Sequence, residues 1–306
     1  MSFILAVLSL GNIGRGVIEA AQVAPDCQCL GVIRRKESIG TQVFDVKGLP
    51  EYASIEELIA AQGKPDVVAL CGPTRQVEEE AAKLLAMGIS TVDSFDIHGD
   101  IVKLVQRLDP IAKANNAVSI TAAGWDPGSD SAIRALLEAM TPVGTTFTNF
   151  GRGRSMGHSV AAKAINGIAD AISITIPVGG GRHSRLVYVV LEKGTSLDQA
   201  KARLKADDYF AHDPLDVVEV ADSEALSYVA DQSHGVLIER IGASGATSNQ
   251  QLTFDMRINN PALTAQILLS CARAATRLAP GCYTMIDIPM VSLLPGDRID
   301  NIRRLV

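Results

Sequence analysis

The sequence has few aromatic residues and no long apolar run. Aromatic side chains make up 4% of the 306 residues, and Trp125 is the only tryptophan. No stretch approaches the roughly 18 consecutive apolar residues that a transmembrane helix needs, so we expect no membrane partner. The apolar segment Phe3–Leu8 follows no basic residue and precedes no cleavage site, so we do not expect a signal peptide.

The sequence also has few cysteines and no excess of positive charge. The five cysteines are Cys27, Cys29, Cys71, Cys271 and Cys282. Their odd number and irregular spacing do not suggest a disulfide framework. No second pair completes a zinc site with Cys27 and Cys29. We therefore expect reduced cysteines, no metal, and a cytoplasmic protein. A net charge of −6 argues against nucleic acid as the main partner.

Strands and helices alternate in the first part of the chain. Hydrophobic residues reach 47%, and the apolar runs are rich in small and branched aliphatic residues, as in parallel strands covered by helices on both faces. We predict strands over 4–9, 29–33, 66–71, 90–93 and 117–121, and helices over 17–21, 54–61, 77–87 and 101–114. This order predicts a Rossmann-type, doubly wound parallel sheet.

The pattern changes after residue 130, which predicts an α+β second domain with a mainly antiparallel sheet. We predict a helix over 132–140 that Ser129 or Asp130 caps. Predicted strands follow over 145–150, 171–177, 185–192, 215–220, 235–241 and 250–258, with a helix over 261–278. We assign residues 1–122 to a dinucleotide-binding domain and 123–261 to a substrate-binding and dimerisation domain, and we expect 262–306 to pack back on the first.

The first strand–helix turn has the spacing of a phosphate-binding loop. In a dinucleotide fold this turn uses glycines so that backbone amides can approach a pyrophosphate. Here Gly11 and Gly14 are present, but Ser9 stands where the first glycine is usual. Ser9 can serve if its backbone angles suit an L-residue. The alternative is a simple strand–helix connection.

The second strand ends at Arg34 and Arg35, not at an acid. A carboxylate there would accept hydrogen bonds from the ribose of NAD, whereas an arginine favours the 2′-phosphate of NADP. We therefore predict NADP as cofactor. A solvated basic turn is the alternative.

A turn from Thr121 to Asp130 carries the single tryptophan together with Asp126, Pro127 and Gly128. Pro127 and Gly128 end the preceding strand. A large aromatic residue and a carboxylate on such a turn favour the floor of a ligand site. The alternative is a surface loop whose tryptophan covers the edge of the core.

The sequence resembles the meso-diaminopimelate dehydrogenases nearly from end to end, and more closely the branch that also forms other D-amino acids. The resemblance rests on these segments: Gly11–Arg15, Arg34–Arg35, Val92–His98, Ala123–Gly128, Ser155–Ser159, His183–Arg185, His234–Gly235 and Asn259–Pro261. It implies a homodimer that carries out reversible NADP-dependent oxidative deamination at the D-centre of meso-2,6-diaminopimelate. The products are L-2-amino-6-oxopimelate, which cyclises to tetrahydrodipicolinate, ammonium and NADPH, in lysine and diaminopimelate metabolism. The sequence departs from the family at Ser9, where the family has glycine.

The resemblance also implies the residues of the site. Asp96 and Asp126 would hold the ammonium at the D-configured end and serve as the catalytic pair, with Asp126 helping the amine to lose a proton. The implied substrate contacts are Asp96, Trp125, Asp126, Phe150, Met156, Gly157, Thr175, Arg185, His234 and Asn260. The implied cofactor contacts are Gly11, Asn12, Ile13, Gly14, Arg34, Arg35, Cys71, Gly72, Pro73, Thr74, Ser94, Phe95, Ala123, Gly124, Trp125 and Pro127.

Two other functions fit the same residues. One is an NADP-dependent D-amino acid dehydrogenase that acts on a shorter substrate than a diamino dicarboxylate. The other is a non-catalytic NADP-binding regulator. The retention of Asp96, Asp126 and Arg185 argues against the regulator, since a sensor need not keep partners for both an ammonium and a carboxylate.

Overall fold

A computed structural model describes residues 2–41, 48–230 and 234–306. The chain divides into two compact units, one of residues Met1–Ala132 with Pro261–Val306 and the other of Ile133–Asn260. No helix in the described ranges is long and apolar enough to cross a membrane. Nor do three or more histidine, cysteine or acidic side chains in those ranges form a group that could hold a metal ion.

The strands, in chain order, are β1 Phe3–Leu8, β2 Cys27–Ile33, β3 Glu51–Tyr52, β4 Val67–Leu70, β5 Ser90–Asp93, β6 Val118–Ile120, β7 Val143–Phe150, β8 Gly153–Arg154, β9 Ile168–Gly179, β10 Arg182–Leu191, β11 Leu215–Glu219, β12 His234–Ser244, β13 Thr247–Ile258 and β14 Gly281–Tyr283. The α-helices are α1 Asn12–Val23, α2 Ile55–Gln62, α3 Val77–Ala86, α4 Ile101–Ala114, α5 Ser129–Met140, α6 Met156–Lys163, α7 Leu197–Ala206, α8 Ser223–Ala230, α9 Asn260–Ala275 and α10 Arg298–Leu305.

The first unit contains a doubly wound parallel sheet, as the alternation predicts. Its strand order is β14-β6-β5-β4-β1-β2-β3, and every neighbouring pair is parallel. Alternate residues of β1 face opposite sides of the sheet. Leu5 and Val7 pack with residues of α1 and α9, whereas Ala6 packs with residues of α2, α3 and α4. The carboxyl ends of these strands therefore meet at one edge.

The C-terminal segment forms part of this first unit. Its strand β14 extends the sheet beside β6, and α9 supplies buried Leu268, Leu269 and Ala272 to the core. Arg273 is almost fully buried on α9, and its guanidinium donates from Nε and Nη2 to the Asp26 carboxylate at 2.6 and 2.8 Å. A buried arginine with two such charge-assisted bonds fixes α9 against the loop before β2.

The second unit contains two sheets. The four-stranded sheet has the order β11-β10-β9-β8, and the three-stranded antiparallel sheet has the order β13-β12-β7. One pair, β10 and β11, is parallel, because α7 lies between them in the chain and returns it to the same end of the sheet. The mainly antiparallel character that the alternating polarity predicts is confirmed.

Helix boundaries differ from the prediction at several places; α1, for example, spans Asn12–Val23 where residues 17–21 were predicted. Helix α5 begins at Ser129, three residues before the predicted start, so Ser129 and Asp130 lie in its first turn. Gly128 precedes the helix with a φ of +145°. Helix α9 ends at Ala275, ahead of the stop expected at Pro280 and Gly281. By contrast, the Ser54 hydroxyl accepts from the Glu57 amide at the start of α2, as its capping pattern predicts.

Candidate active site

The turn after β1 is tight and holds a serine in a conformation that favours glycine. Ser9 has a φ of +79°, so its backbone does not suit an L-residue and the turn is not relaxed to accommodate it. Gly14, in the first turns of α1, lies against this residue. A Cβ built on Gly14 would come within 2.2 Å of the Ser9 carbonyl oxygen. Gly14 therefore permits the helix to pack on the turn, which is the role of the third glycine of such loops.

A cavity of about 580 Å³ opens at this turn. Among the predicted cofactor residues, those that line it are Gly11, Arg34, Arg35, Cys71, Gly72 and Pro73; Ser9, Leu10, Ser38 and Gln76 complete the lining and were not predicted as cofactor contacts. Ser38 and Gln76 carry no motif signal, since only the fold brings the turn after β2 beside the turn after β4. Burial raises the pKa of the Cys71 thiol to about 12, so Cys71 lines the cavity as a neutral group.

The two arginines after β2 have different surroundings. Arg34 donates from Nη1 to Glu51 Oε1 at 2.8 Å, and both side chains are largely buried. Glu51 Oε2 also accepts from the Gly40 amide at 3.0 Å. Arg35 is 85% exposed, and its nearest acidic partner is Glu37 at 3.8 Å. Arg35 is therefore the arginine that can turn to an anionic ligand, while Arg34 holds the loop from Arg35 to Gly40.

Asp96 and Asp126 follow two neighbouring strands of the sheet. Asp96 comes three residues after the end of β5, and its Oδ1 accepts from the Thr74 hydroxyl at 2.7 Å. Asp126 comes six residues after the end of β6. The pairing of Val92 with Ile120 makes β5 and β6 adjacent, so both carboxylates belong to loops at the carboxyl edge of the sheet. Open α/β sheets bind their ligands at that edge.

The loop that carries Trp125 and Asp126 is closed on itself. The Gly124 amide donates to the Pro127 carbonyl, and the amides of Ser129 and Asp130 donate to the carbonyls of Gly124 and Trp125. A Cβ on Gly128 would lie 2.0 Å from the Gly124 carbonyl oxygen, which explains the glycine at that position. Trp125 is largely buried. The loop is therefore internally fixed, and its buried tryptophan fits both the floor of a ligand site and a residue that covers the edge of the core.

The remaining predicted cofactor residues lie outside the lining of the 580 Å³ cavity. Asn12, Ile13 and Gly14 form the start of α1, Thr74 belongs to the turn after β4, Ser94 and Phe95 follow β5, and Ala123, Gly124, Trp125 and Pro127 follow β6. All lie in turns, or at the start of a helix, that follow strands at the carboxyl edge of the same sheet. The structure therefore gathers the predicted cofactor residues along one edge.

In the second unit, Arg185 is the centre of a polar cluster. Arg185 and Thr175 are cross-strand neighbours on β10 and β9, and Arg185 Nη1 donates to the Thr175 hydroxyl at 2.5 Å. Arg185 Nε donates to Asp213 Oδ2 at 2.8 Å, and Nη2 lies 2.9 Å from His183 Nε2. Asp213 was not predicted from the sequence, because it lies 28 residues from Arg185 in a loop that no motif marks.

Charges in this cluster compensate one another. Burial favours the neutral form of Asp213, but the hydrogen bond from Arg185 and the charges of His183 and Arg185 outweigh it and lower the pKa of the Asp213 carboxyl. His158 belongs to the same neighbourhood. Burial and the positive charge of Arg185 lower the pKa of the His158 imidazole, and its Nδ1 lies 2.9 Å from the Ser155 hydroxyl. The cluster therefore keeps a buried, charged guanidinium beside a neutral imidazole.

The other predicted substrate contacts occupy ends of elements in the second unit. Phe150 ends β7, Gly157 lies in the first turn of α6, and Asn260 begins α9 at the boundary of the unit. The side chains of Met156 and His234 lie outside the described part of the structure.

Comparisons with known proteins agree on one family. Residues 124–181 match the family model described as the diaminopimelic acid dehydrogenase C-terminal domain. The chain is 51% identical to the meso-diaminopimelate D-dehydrogenase of Bacteroides fragilis over 98% of each chain. It is similar to a solved meso-diaminopimelate dehydrogenase mutant from Clostridium tetani E88, crystallised with DAP, at 27% identity, full coverage of both chains and a TM-score of 0.70.

A second solved structure, the DAP dehydrogenase of Corynebacterium glutamicum in complex with DAP, gives the same TM-score of 0.70 at 25% identity and covers 100% of this chain and 99% of that one. The parallel sheet, the separate antiparallel strands and the full-length similarity lead to one conclusion. The chain belongs to the meso-diaminopimelate D-dehydrogenase family of oxidoreductases.

Proposed function

We propose that this enzyme catalyses the reversible, NADP-dependent oxidative deamination of meso-2,6-diaminopimelate at its D-configured carbon. The substrate, NADP⁺ and water would give L-2-amino-6-oxopimelate, which cyclises to tetrahydrodipicolinate, with ammonium, NADPH and a proton. The observation that carries the proposal is the pair of carboxylates, Asp96 and Asp126, in the loops that follow the adjacent strands β5 and β6. Two carboxylates are the partners that a substrate ammonium needs.

The cavity beside Ser9 fits a dinucleotide with an additional phosphate. The turn at its floor packs against Gly14, where a side chain would clash with the Ser9 carbonyl. Helix α1 begins beside this turn, and the amides of a helix's first turn, which have no partner within the helix, would bind the pyrophosphate. The exposed Arg35 guanidinium and the Ser38 residue line its far side, which favours NADP over NAD. A bound nicotinamide ring supplies the acceptor for the hydride. The protein's part is to hold it at the carboxyl edge of the sheet.

Asp126 is the group that we assign to proton removal from the substrate. The ammonium must lose a proton before its C–H bond can break, since the nitrogen lone pair pushes the electrons out. Asp96, whose Oδ1 is fixed by the Thr74 hydroxyl, would bind and orient the same nitrogen. Trp125 is largely buried and would provide an apolar wall that limits water.

Arg185 is the residue that we assign to the carboxylate at the far, L-configured end. Its planar fork suits a carboxylate, and the contacts with Thr175 and Asp213 fix its orientation beforehand. The amides of Met156 and Gly157, at the start of α6, would bind the carboxylate at the D-configured end. Phe150, His234 and Asn260 complete the proposed contacts.

One assay tests the proposal against its rivals. NADPH formation is measured with meso-diaminopimelate, its LL isomer, D-lysine and D-alanine, and with NADP and NAD. Turnover of the meso isomer with NADP supports the proposal, and turnover of D-alanine above the meso isomer contradicts it. Tight NADP binding with no turnover of any substrate would instead favour the non-catalytic regulator.

Two substitutions test the carboxylates. Asp126→Asn should lower kcat by roughly 100-fold or more, as removal of an acid–base group does. Asp96→Asn should raise the KM for the amino acid. Asp100→Asn is the matched control, because Asp100 lies on the same loop and is paired with Lys103. Its kinetics should equal those of the wild type, and an equal loss in all three variants would contradict the assignment.

One observation favours the rival dehydrogenase that acts on shorter D-amino acids. In the structure Arg185 already directs Nε to Asp213, Nη1 to Thr175 and Nη2 to His183. A guanidinium that is satisfied by protein groups contributes less net binding energy to a second carboxylate. The variant Arg185→Ala distinguishes the diaminopimelate dehydrogenase from the rival dehydrogenase that acts on shorter D-amino acids. It should raise the KM for meso-diaminopimelate if that carboxylate binds there, and should leave the KM for D-alanine unchanged in either case.

We also propose that the enzyme works as a cytoplasmic homodimer. Val143 and Ile241 support the dimer, since both are exposed apolar residues on one face of the β7–β12 pair, and exposed apolar surface of this kind favours association. Cell fractionation tests the location, and light scattering tests the mass.

A further inference from the structure

A buried carboxylate, Asp93, lies at the point where the two candidate catalytic loops begin. It is the last residue of β5 and has no exposed surface. Its Oδ1 accepts three hydrogen bonds, from the Thr121 hydroxyl at 2.8 Å, the Phe95 amide at 3.0 Å and the Ala122 amide at 3.1 Å. Its backbone carbonyl accepts a fourth from the Ala123 amide at 2.8 Å.

These hydrogen bonds connect the two chain segments beyond the point where the β5–β6 pairing ends. The pairing of β5 with β6 ends at Val92 and Ile120, and the next residue on β5 is Asp93. Beyond that point the chain after β6 bends sharply, with Ala122 at a φ of +52°. A non-glycine residue persists in such a conformation only when its surroundings impose it. The bond from the Ala122 amide to Asp93 is one such constraint.

Burying the Asp93 carboxylate costs free energy, so packing alone does not explain an acidic residue at this position. Asp93 Oδ2 is buried and accepts no hydrogen bond from any described residue. Burial raises the pKa of the Asp93 carboxyl to about 6, against the effect of the bonds from Phe95, Thr121 and Ala122. The nearby titratable groups on packed elements are Cys271 of α9 and Cys282 of β14, and neither carries a positive charge that would compensate a carboxylate.

We propose that Asp93 is a positioning residue for the dehydrogenase reaction, and that its Oδ1 fixes the directions in which the Asp96 and Asp126 loops leave the sheet. One loop is held through Phe95, the other through Ala122 and Ala123. Because the segment from Gly124 to Asp130 is closed by its own hydrogen bonds, its orientation is set where it joins β6. The proposal rests on the proposed function, since it assumes that Asp96 and Asp126 act on the substrate.

The variants Asp93→Asn and Asp93→Ala separate the acceptor from the side chain as a whole. Asparagine keeps a carbonyl oxygen for the three donors, whereas alanine leaves them without an acceptor. We expect Asp93→Ala to lower kcat by roughly 10- to 100-fold, as small displacements of reacting groups do. Asp93→Asn should restore kcat to within about threefold of the wild type.

Trp125 gives a second measurement that does not depend on turnover. It is the only tryptophan in the chain, so fluorescence and its quenching by acrylamide report on this loop alone. We expect Asp93→Ala to shift the emission to the red and to increase quenching, and Asp93→Asn to match the wild type. If the wild type fails to oxidise meso-diaminopimelate, the proposed function fails, while the fluorescence still tests Asp93.

The results that would overturn the proposal are distinct. An Asp93→Ala enzyme with the kcat and the Trp125 emission of the wild type shows that Asp93 positions nothing. An Asp93→Asn enzyme as impaired as Asp93→Ala shows that the Oδ1 acceptor is not the cause. If the alanine variant does not fold, Thr121→Val replaces it, since it removes one of the three donors. It should lower kcat severalfold and shift the emission in the same direction, and an unchanged enzyme would overturn the proposal.

Discussion

A single serine departs from the glycine pattern of the cofactor turn, yet the backbone there keeps the glycine conformation. Ser9 has a φ of +79°, and its amide donates to the Ile33 carbonyl at 2.9 Å, so the turn is anchored to β2. An L-residue in the left-handed region costs roughly 1–2 kcal/mol. The turn is therefore strained at the residue that lies against Gly14.

Replacing Ser9 by glycine should relieve that strain. We expect Ser9→Gly to raise the free energy of unfolding by about 1 kcal/mol, the gain from strain relief exceeding the greater freedom of glycine in the unfolded chain. NADP should bind as tightly or severalfold more tightly. Urea unfolding and a binding titration measure both. Ser9→Ala is the control, since it removes the hydroxyl and keeps the strain, and an equal gain in stability from alanine would contradict this account.

The two arginines after β2 should respond differently to substitution. Arg35→Ser should raise the KM for NADP by roughly 10- to 100-fold, the value of charge-assisted hydrogen bonds to a phosphate. It should leave the KM for NAD and the melting temperature unchanged, because Arg35 is exposed. Arg34→Ser should also destabilise the fold by about 1–3 kcal/mol, because it leaves Glu51 without its buried partner. Steady-state kinetics and thermal unfolding of both variants test this difference.

At the scale of elements, the candidate site depends on how β5 and β6 end. Both strands are short, and their ladder stops two residues before the chain turns at Ala122. Beyond the ladder, the Asp93 side chain joins the two segments by accepting hydrogen bonds from Thr121 and Ala122. Because burial raises the pKa of this carboxyl to about 6, its ionisation is linked to stability.

The sign of this linkage is opposite to that of most carboxylates. The folded protein holds a proton on Asp93 up to about pH 6, while the unfolded chain loses it near pH 4. The stability that this proton contributes is therefore fully present below about pH 4 and is lost as the pH rises through about 6. Relative to Asp93→Asn, the wild type should become less stable by about 3 kcal/mol over this interval. Urea unfolding of both proteins at pH 4 and pH 7.5 measures the difference, and a constant difference would contradict the assignment.

For the whole molecule, the exposed apolar residues of the β7–β12 pair bear on assembly. We expect the wild type to have the mass of a dimer in light scattering, and Val143→Glu combined with Ile241→Glu to have that of a monomer at micromolar concentration, since a charge cannot be buried in an apolar contact without a partner. Val102→Glu is the control, because Val102 is also an exposed apolar residue but lies on α4 of the other unit. A monomeric wild type would contradict the proposed dimer.

The sequence by itself determined the parallel sheet and the position of the cofactor turn. Both depend on local signals, namely apolar strands that alternate with amphipathic helices, glycines at fixed spacing, and arginines where the second strand ends. As site residues, Asp96 stays a prediction from the resemblance, and Trp125 and Asp126 stay predictions from the composition of their turn; all three follow β5 or β6 in the structure. Residue type and spacing are sufficient where the interacting groups lie within one turn.

Only the tertiary structure decided which of these residues are held and by what. Arg185 donates a hydrogen bond to Asp213, 28 residues further along the chain, and Arg34 donates one to Glu51, 17 residues further along. Asp93 joins two loops through donors that lie 28 and 29 residues further along the chain. No local pattern marks such partners, because a hydrogen bond between distant residues exists only once the strands that carry them have paired. The same holds for Ser9, whose conformation is imposed by β2 and α1 against its own preference.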